Sequence, residues 1–180
     1  MGEHRPGSGE ADGGTTRDEP DDVDRIVAAW GRERPDLDVE PLQVLSRITR
    51  LARRLDLGRG AAFSRHHLEG WEFDVLSALR RAGRPYQLSP GQLVSETLVT
   101  SGTMTNRVDR LELRGLVRRS PDPSDRRGVI VRLTTAGRET VDAALADLLE
   151  HERELLALLS STERVQLATM LRRLNVPLES

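Results

Sequence analysis

At 180 residues the chain is long enough for one domain, or one domain with an added arm. Its 37% hydrophobic but only 3% aromatic content calls for a core of Leu, Val and Ala packed between helices. The net charge of −2 argues against a uniformly basic nucleic-acid binder, yet residues 1–24 alone carry eight acids and two arginines, a net −6, which leaves about +4 for the rest and permits a localised footprint. The absence of cysteine excludes disulfides, thiolate metal sites and thiol redox switching. There is no apolar run long enough to span a bilayer and no basic-then-apolar start, so neither membrane insertion nor secretion is expected, and the location should be cytoplasmic.

Residues 1–20 are Gly-, Asp- and Glu-rich with almost no apolar content, which predicts a disordered acidic tail. Asp21 and Asp22 open a helix from Val23 to about Arg34. Val23, Ile26, Val27 and Trp30 recur at helical spacing, and residues 35–41 follow as a linker. A long amphipathic helix is predicted from Leu42 to about Arg65, with a kink or break where Gly58 and Gly60 weaken it. A third helix spans Trp71–Ala82 with Gly83 as its C-terminal cap. Pro90 sits in the first turn of a short helix, Gly91–Leu98. After the Val99-Thr100 turn comes Gly102–Arg114, closed by Gly115. Two short helices around a tight turn make a helix-turn-helix.

An arginine-flanked strand, a Pro/Asp turn, an Asp-Arg-Arg tip and an alternating strand around Val129–Leu133 then predict a two-stranded wing. Thr134-Thr135 caps a long helix to about Leu159, and Ser160 with Glu163 reads as a capping box for a last helix through Leu174. Residues 101–138 hold nine arginines and four acids, against the sign of the whole chain. A helix beside a basic hairpin points to winged-helix binding of double-stranded DNA. At 100° per residue, Met104, Val108 and Leu111 face a core, while Gly102, Asn106 and Asp109 lie opposite. The polar groups expected to meet bases or phosphates are Ser101, Thr103, Thr105, Asn106 and Arg110, with Arg126 and Arg127 at the wing tip. Asp109 either pairs with Arg110 or accepts from a cytosine amine.

The fold class is therefore mainly α with a small β wing: a winged helix-turn-helix flanked by terminal helices. Its segments are the tail 1–20, the added helix and linker 21–40, the winged helix-turn-helix 71–138, and dimerisation helices at 41–70 and 139–180. The terminal helices hold more leucine than one small winged helix buries, which points to a homodimer rather than an intrachain bundle. A two-fold pair of wings would read a pseudo-palindromic operator with half-sites about 34–36 Å apart. Nothing in the sequence supports an enzyme: there is no glycine-rich phosphate loop and no ordered metal-ligand set. Adjacent His66 and His67 project to different helix faces, so neither a metal nor a cofactor is expected. A non-specific architectural DNA binder is the alternative of a different class.

Four motifs in order resemble the MarR family of winged-helix regulators: Trp71-Glu-Phe-Asp-Val-Leu, Ser101-Gly-Thr-Met-Thr-Asn-Arg-Val-Asp-Arg-Leu, Arg114-Gly-Leu-Val-Arg-Arg, and Asp125-Arg-Arg with Leu133-Thr-Thr-Ala-Gly-Arg138. The resemblance covers about residues 41–175. It implies an obligate homodimer on palindromic operators, commonly released by small anionic or aromatic ligands. The chain further resembles the urate-responsive branch, which has an additional Trp-bearing N-terminal helix. That likeness implies a ligand pocket formed by Trp30, Asp74, Arg107 and Arg119. Two guanidiniums near one crevice suit a planar anion, although Arg107 could equally serve a DNA phosphate. The implied switch has Asp74 balancing the arginines until a bound anion competes for them. Tricarboxylates and phenolic acids remain alternative ligands to urate.

Overall fold

The structure, a computed structural model, describes residues 19–123, 125 and 128–175. Residues 1–18 of the predicted tail 1–20, and the wing-tip residues Arg126 and Arg127, lie outside them. The chain forms two compact units, residues 1–52 and 53–180.

In the first unit, α1 (Asp22–Glu33) begins where Asp21 accepts hydrogen bonds from the backbone N–H of Val23 (2.7 Å) and Asp24 (3.0 Å). Asp24 returns the favour to the Asp21 N–H at 2.9 Å, completing a capping box. Arg47 then grips Asp21 at 2.9 Å and Asp24 at 2.8 Å, tying α1 to the first half of α2 (Pro41–Ser64). Val23 is buried, whereas Trp30 and Leu45 remain at least half exposed.

The sequence places a kink or break in α2 at Gly58 and Gly60, but the helix is unbroken through both. Gly58 instead serves close packing. A Cβ there would sit 2.1 Å from Nε2 of His151, so the missing side chain makes room for that ring.

In the second unit, α3 (Gly70–Arg81) supplies Phe73, Val75, Leu76, Ala78 and Leu79 to one continuous core. Phe73 stacks on Phe63 from the end of α2 with centroids 4.1 Å apart. Gly83, at φ +75°, adopts the left-handed conformation that closes α3. Next come α4 (Pro90–Thr97), capped by Ser89, and α5 (Ser101–Leu113), capped by Thr100 and ended at Gly115, φ +70°. Leu98, expected inside α4, is instead the left-handed turn residue and is 91% exposed.

The wing strands are β2 (Val117–Pro121) and β3 (Val129–Leu133), antiparallel with Val117 opposite Leu133 and Arg119 opposite Val131. The expected two-stranded wing is in fact three-stranded. A two-residue strand β1 (Gln87–Leu88) pairs with the far edge of β3, giving the order β1-β3-β2. Two residues carry no alternation signal, which is why β1 escapes a sequence reading.

Thr134 caps α6 (Thr135–Leu156), which stops short of the expected Leu159. Its first turn lies so near the wing base that a Cβ on Gly137 would come within 1.9 Å of the Leu116 carbonyl oxygen. Ser160 and Glu163 form the expected capping box of α7 (Ser161–Asn175). That helix buries none of its residues within the chain. His66 is paired, its Nε2 lying 3.0 Å from Asp147 on α6. Among the described residues no helix is long and apolar enough to cross a membrane.

Candidate nucleic-acid interface and anion cleft

The phasing read from the sequence holds along α5. Met104, Val108 and Leu111 are buried, anchoring the helix. Ser101, Gly102, Thr103, Thr105, Asn106, Asp109 and Arg110 are exposed on the opposite side. Within that face the hydroxyls of Thr100 and Thr103 are bonded to each other at 2.9 Å, and Thr105 donates to the Ser101 carbonyl at 3.1 Å.

Two flanks brace this helix. On the α3 flank, Arg107, Arg110 and Arg114 form a stripe that meets Glu69, Trp71 and Glu72. Arg110 donates to Glu69 at 2.7 Å and lies 4.7 Å over the Trp71 ring, with Arg107 5.4 Å from the same ring. The Trp71 indole N–H donates to the other Glu69 oxygen at 2.6 Å. The indole N–H first, and the Arg110 guanidinium second, hold the Glu69 carboxyl below its ordinary value. Glu72 is 1% exposed, the buried carboxylate of the described core. Arg114 reaches it at 2.5 Å and also donates to the His67 carbonyl at 2.8 Å, while the Glu69 N–H donates to Glu72 at 2.9 Å. A buried charge paired in this way satisfies the requirement that desolvated ions find partners.

On the wing flank, Arg119 contacts Asp109 at 2.5 Å and Glu112 at 3.1 Å, and its backbone N–H donates to Glu112 at 2.7 Å. Beside it opens a cleft of about 300 Å³, walled by Pro90, Met104, Thr105, Val108, Asp109, Arg119 and Val129. Asp109 thus answers Arg119, whereas the sequence reading gave it Arg110 or a cytosine.

Three of the four residues implied as a ligand pocket, Asp74, Arg107 and Arg119, meet different neighbours within the second unit. Arg119 lines the cleft, while Arg107 lies over Trp71. The implied balancing of both arginines by Asp74 is not made: Asp74 lies 3.6 Å from Arg59 and lines a smaller hollow with Arg81 and Glu96. The α5–β2 crevice already holds its own acids, Asp109 and Glu112. Trp30 stands half exposed in the first unit. Sequence reasoning missed Glu69, Glu72, Arg114 and Glu112. Their signal was present as the spacing of Glu69 and Glu72 against Arg107, Arg110 and Arg114, but spacing does not say that two helices face each other.

A helix anchored on one side, polar on the other and flanked by a three-stranded wing defines a winged helix-turn-helix DNA-binding protein. The model of the MarR family matches residues 67–128, which run from just ahead of α3 through β2 and stop short of β3. The regulator PecS of Dickeya dadantii is 40% identical over 152 residues, covering 84% of this chain and 92% of its own length. The wild-type MarR structure from E. coli superposes with a TM-score of 0.60 at 28% identity, over 72% of this chain and 96% of that one. BpsR of Bordetella bronchiseptica, whose DNA binding is regulated by 6-hydroxynicotinic acid, gives 0.56 at 30% identity, over 71% and 92%. The chain belongs to the MarR family and is a DNA-binding transcriptional regulator.

Proposed function

We propose that the chain is a homodimeric repressor that binds a pseudo-palindromic operator through α5 and the wing, and that a planar organic anion entering the Arg119 cleft releases it. The observation that carries the ligand half is Arg119 itself, held by two carboxylates at the wall of an otherwise largely apolar cleft of about 300 Å³. That volume is at the small end of the range for ligand sites. Pro90 and Val129 offer a ring apolar contact, backed by the buried Met104 and Val108, while Arg119 offers a charge and paired donors.

A ligand anion competes with Asp109 for Arg119. Because Asp109 belongs to the outer face of α5, occupancy of the cleft and the charge presented to DNA are linked. Useful release needs the ligand to favour the DNA-incompetent state by about 1–3 kcal/mol. Urate has this chemistry, being planar and anionic near neutral pH. The ligand of BpsR, also a planar nitrogen heterocycle, supports the same class. A tricarboxylate or a phenolic acid is the competing choice.

Support for the homodimer comes from apolar surface that the single chain leaves open. In the second unit Leu158 is 76% exposed, Val165 68%, Met170 53% and Leu174 52%. A second copy is the natural cover for apolar surface of this extent.

A mobility-shift titration on the DNA upstream of the gene, with urate, citrate and salicylate added in turn, tests the whole reading. The expected result is a specific complex of a dimer, dissolved by one anion. A monomer in sedimentation, or a complex indifferent to all three anions, overturns the corresponding half. Equal affinity for a scrambled duplex would favour the architectural alternative, since a regulator should discriminate by about 10³-fold.

A further inference from the structure

We infer that Glu69 and Trp71 form a mount that fixes Arg110 for DNA recognition, making Glu69, the residue that precedes the first turn of α3, a positioning residue outside the helix-turn-helix. The inference rests on the reading that α5 contacts DNA. A guanidinium has five N–H donors and two faces. In the structure Glu69 takes one donor, on Nη2 at 2.7 Å, and Trp71 covers a face at 4.7 Å. The carboxylate is itself oriented, because the Trp71 indole N–H holds its second oxygen at 2.6 Å. The side chain of Arg110 nevertheless stays 57% exposed, so the rest of its donor edge is open.

The neighbouring arginines mark the contrast. Arg114 is spent on Glu72 and the His67 carbonyl, inside the body of the protein. Arg107 shares the Trp71 ring from the next turn up the helix. Arg110 alone of this stripe combines a fixed orientation with an open edge on the exposed face. An arginine on a bare helix surface must give up its rotamer freedom on binding, whereas a mounted one has already done so.

The expected sign runs against simple Coulomb reasoning. Removing an acid beside DNA should tighten binding through long-range attraction. Removing a mount should weaken it. The full-length protein is titrated with a duplex selected by the parent from a random-sequence pool, and with a scrambled duplex, across a salt series. Glu69→Ala should bind the selected duplex about five-fold more weakly, with discrimination reduced and the salt slope unchanged. Glu69→Gln should lose about two-fold in the same direction, and it supplies the reading if the alanine variant melts early. Arg110→Gln should lose about ten-fold, and adding Glu69→Ala to it should cost nothing further. If both Glu69 variants bind as tightly as the parent, or more tightly, while Arg110→Gln is weakened, the mount is wrong although DNA contact by Arg110 stands. If Arg110→Gln binds like the parent, it is the DNA reading of Arg110 that fails.

Discussion

The two flanks of α5 are built from the same chemistry and finished differently. On the α3 side, arginines meet carboxylates around a tryptophan ring, and Glu72 is taken fully out of water. On the wing side, Arg119 meets Asp109 and Glu112, but the space beside them is an open cleft. A filled flank resists displacement, because packed interiors rearrange only in discrete steps. An unfilled flank can accept a molecule. The helix is thus held on one side and adjustable on the other, which suits an element that must be both placed for DNA and movable by a ligand.

The largest blow to this arrangement should come at the base of the wing, where α6 meets β2. Gly137→Ala would push a methyl against the Leu116 backbone carbonyl, and backbone cannot step aside as a flexible side chain can. A loss of about 3 kcal/mol in denaturant unfolding is expected. A near-neutral result would mean that the wing shifts freely on α6, and the contrast between a firm and a loose flank would dissolve.

The filled flank is tested by Glu72→Ala, expected to cost about 2 kcal/mol. The cost is smaller than for a fully buried pair because the Arg114 side chain is 37% exposed and keeps its bond to the His67 carbonyl. The same variant should weaken operator binding beyond what its stability loss explains, as α5 loses its tether to α3. Equal affinity at a temperature where the variant is fully folded would show that the tether does not set the helix position.

The open flank calls for smaller, functional changes. Arg119→Gln should abolish response to the effective anion while the folded protein keeps its melting temperature. Asp109→Asn should raise anion affinity, by up to about five-fold, because an exposed ion pair contributes at most about 1 kcal/mol to the competition. Isothermal titration of the two variants with urate separates the roles. If Asp109→Asn binds no better, the carboxylate is not the ligand's rival for Arg119.

How far the sequence carried this picture differs between the flanks too. Single-helix properties were legible: the buried face of α5, the Pro90 start of α4, the caps at Thr134 and Ser160, and the glycine stops at Gly83 and Gly115. Each depends on residues within about four positions of one another, where helical geometry dictates contact. What sequence did not reveal is pairing across elements. Asp74 is implied to balance both arginines, yet it lies near Arg59, and Asp109 pairs with Arg119 alone while Arg107 lies over Trp71. Nor could helical periodicity foresee that Gly58 is there for the His151 ring rather than for a bend.

The smallest effect separates the flanks by pH. The Glu69 carboxyl is held below its ordinary value by the Trp71 indole N–H and then by Arg110. A carboxyl depressed in the folded state contributes stability that is present above the unfolded value, about 4.3, and is lost as pH falls through the lowered folded value. The parent should therefore lose stability on acidification below pH 4 more steeply than Glu69→Gln, which has no proton to take up there. Both chains share Asp21, whose carboxyl is lowered chiefly by the Asp24 backbone N–H, so its acid loss cancels in the difference. Urea midpoints at pH 7 and pH 3 measure that difference. Parallel falls in the two proteins would mean that the Glu69–Arg110–Trp71 contact is already too weak in solution to orient anything. The α3 flank would then be held by Glu72 with Arg114 and by Arg107 over the Trp71 ring.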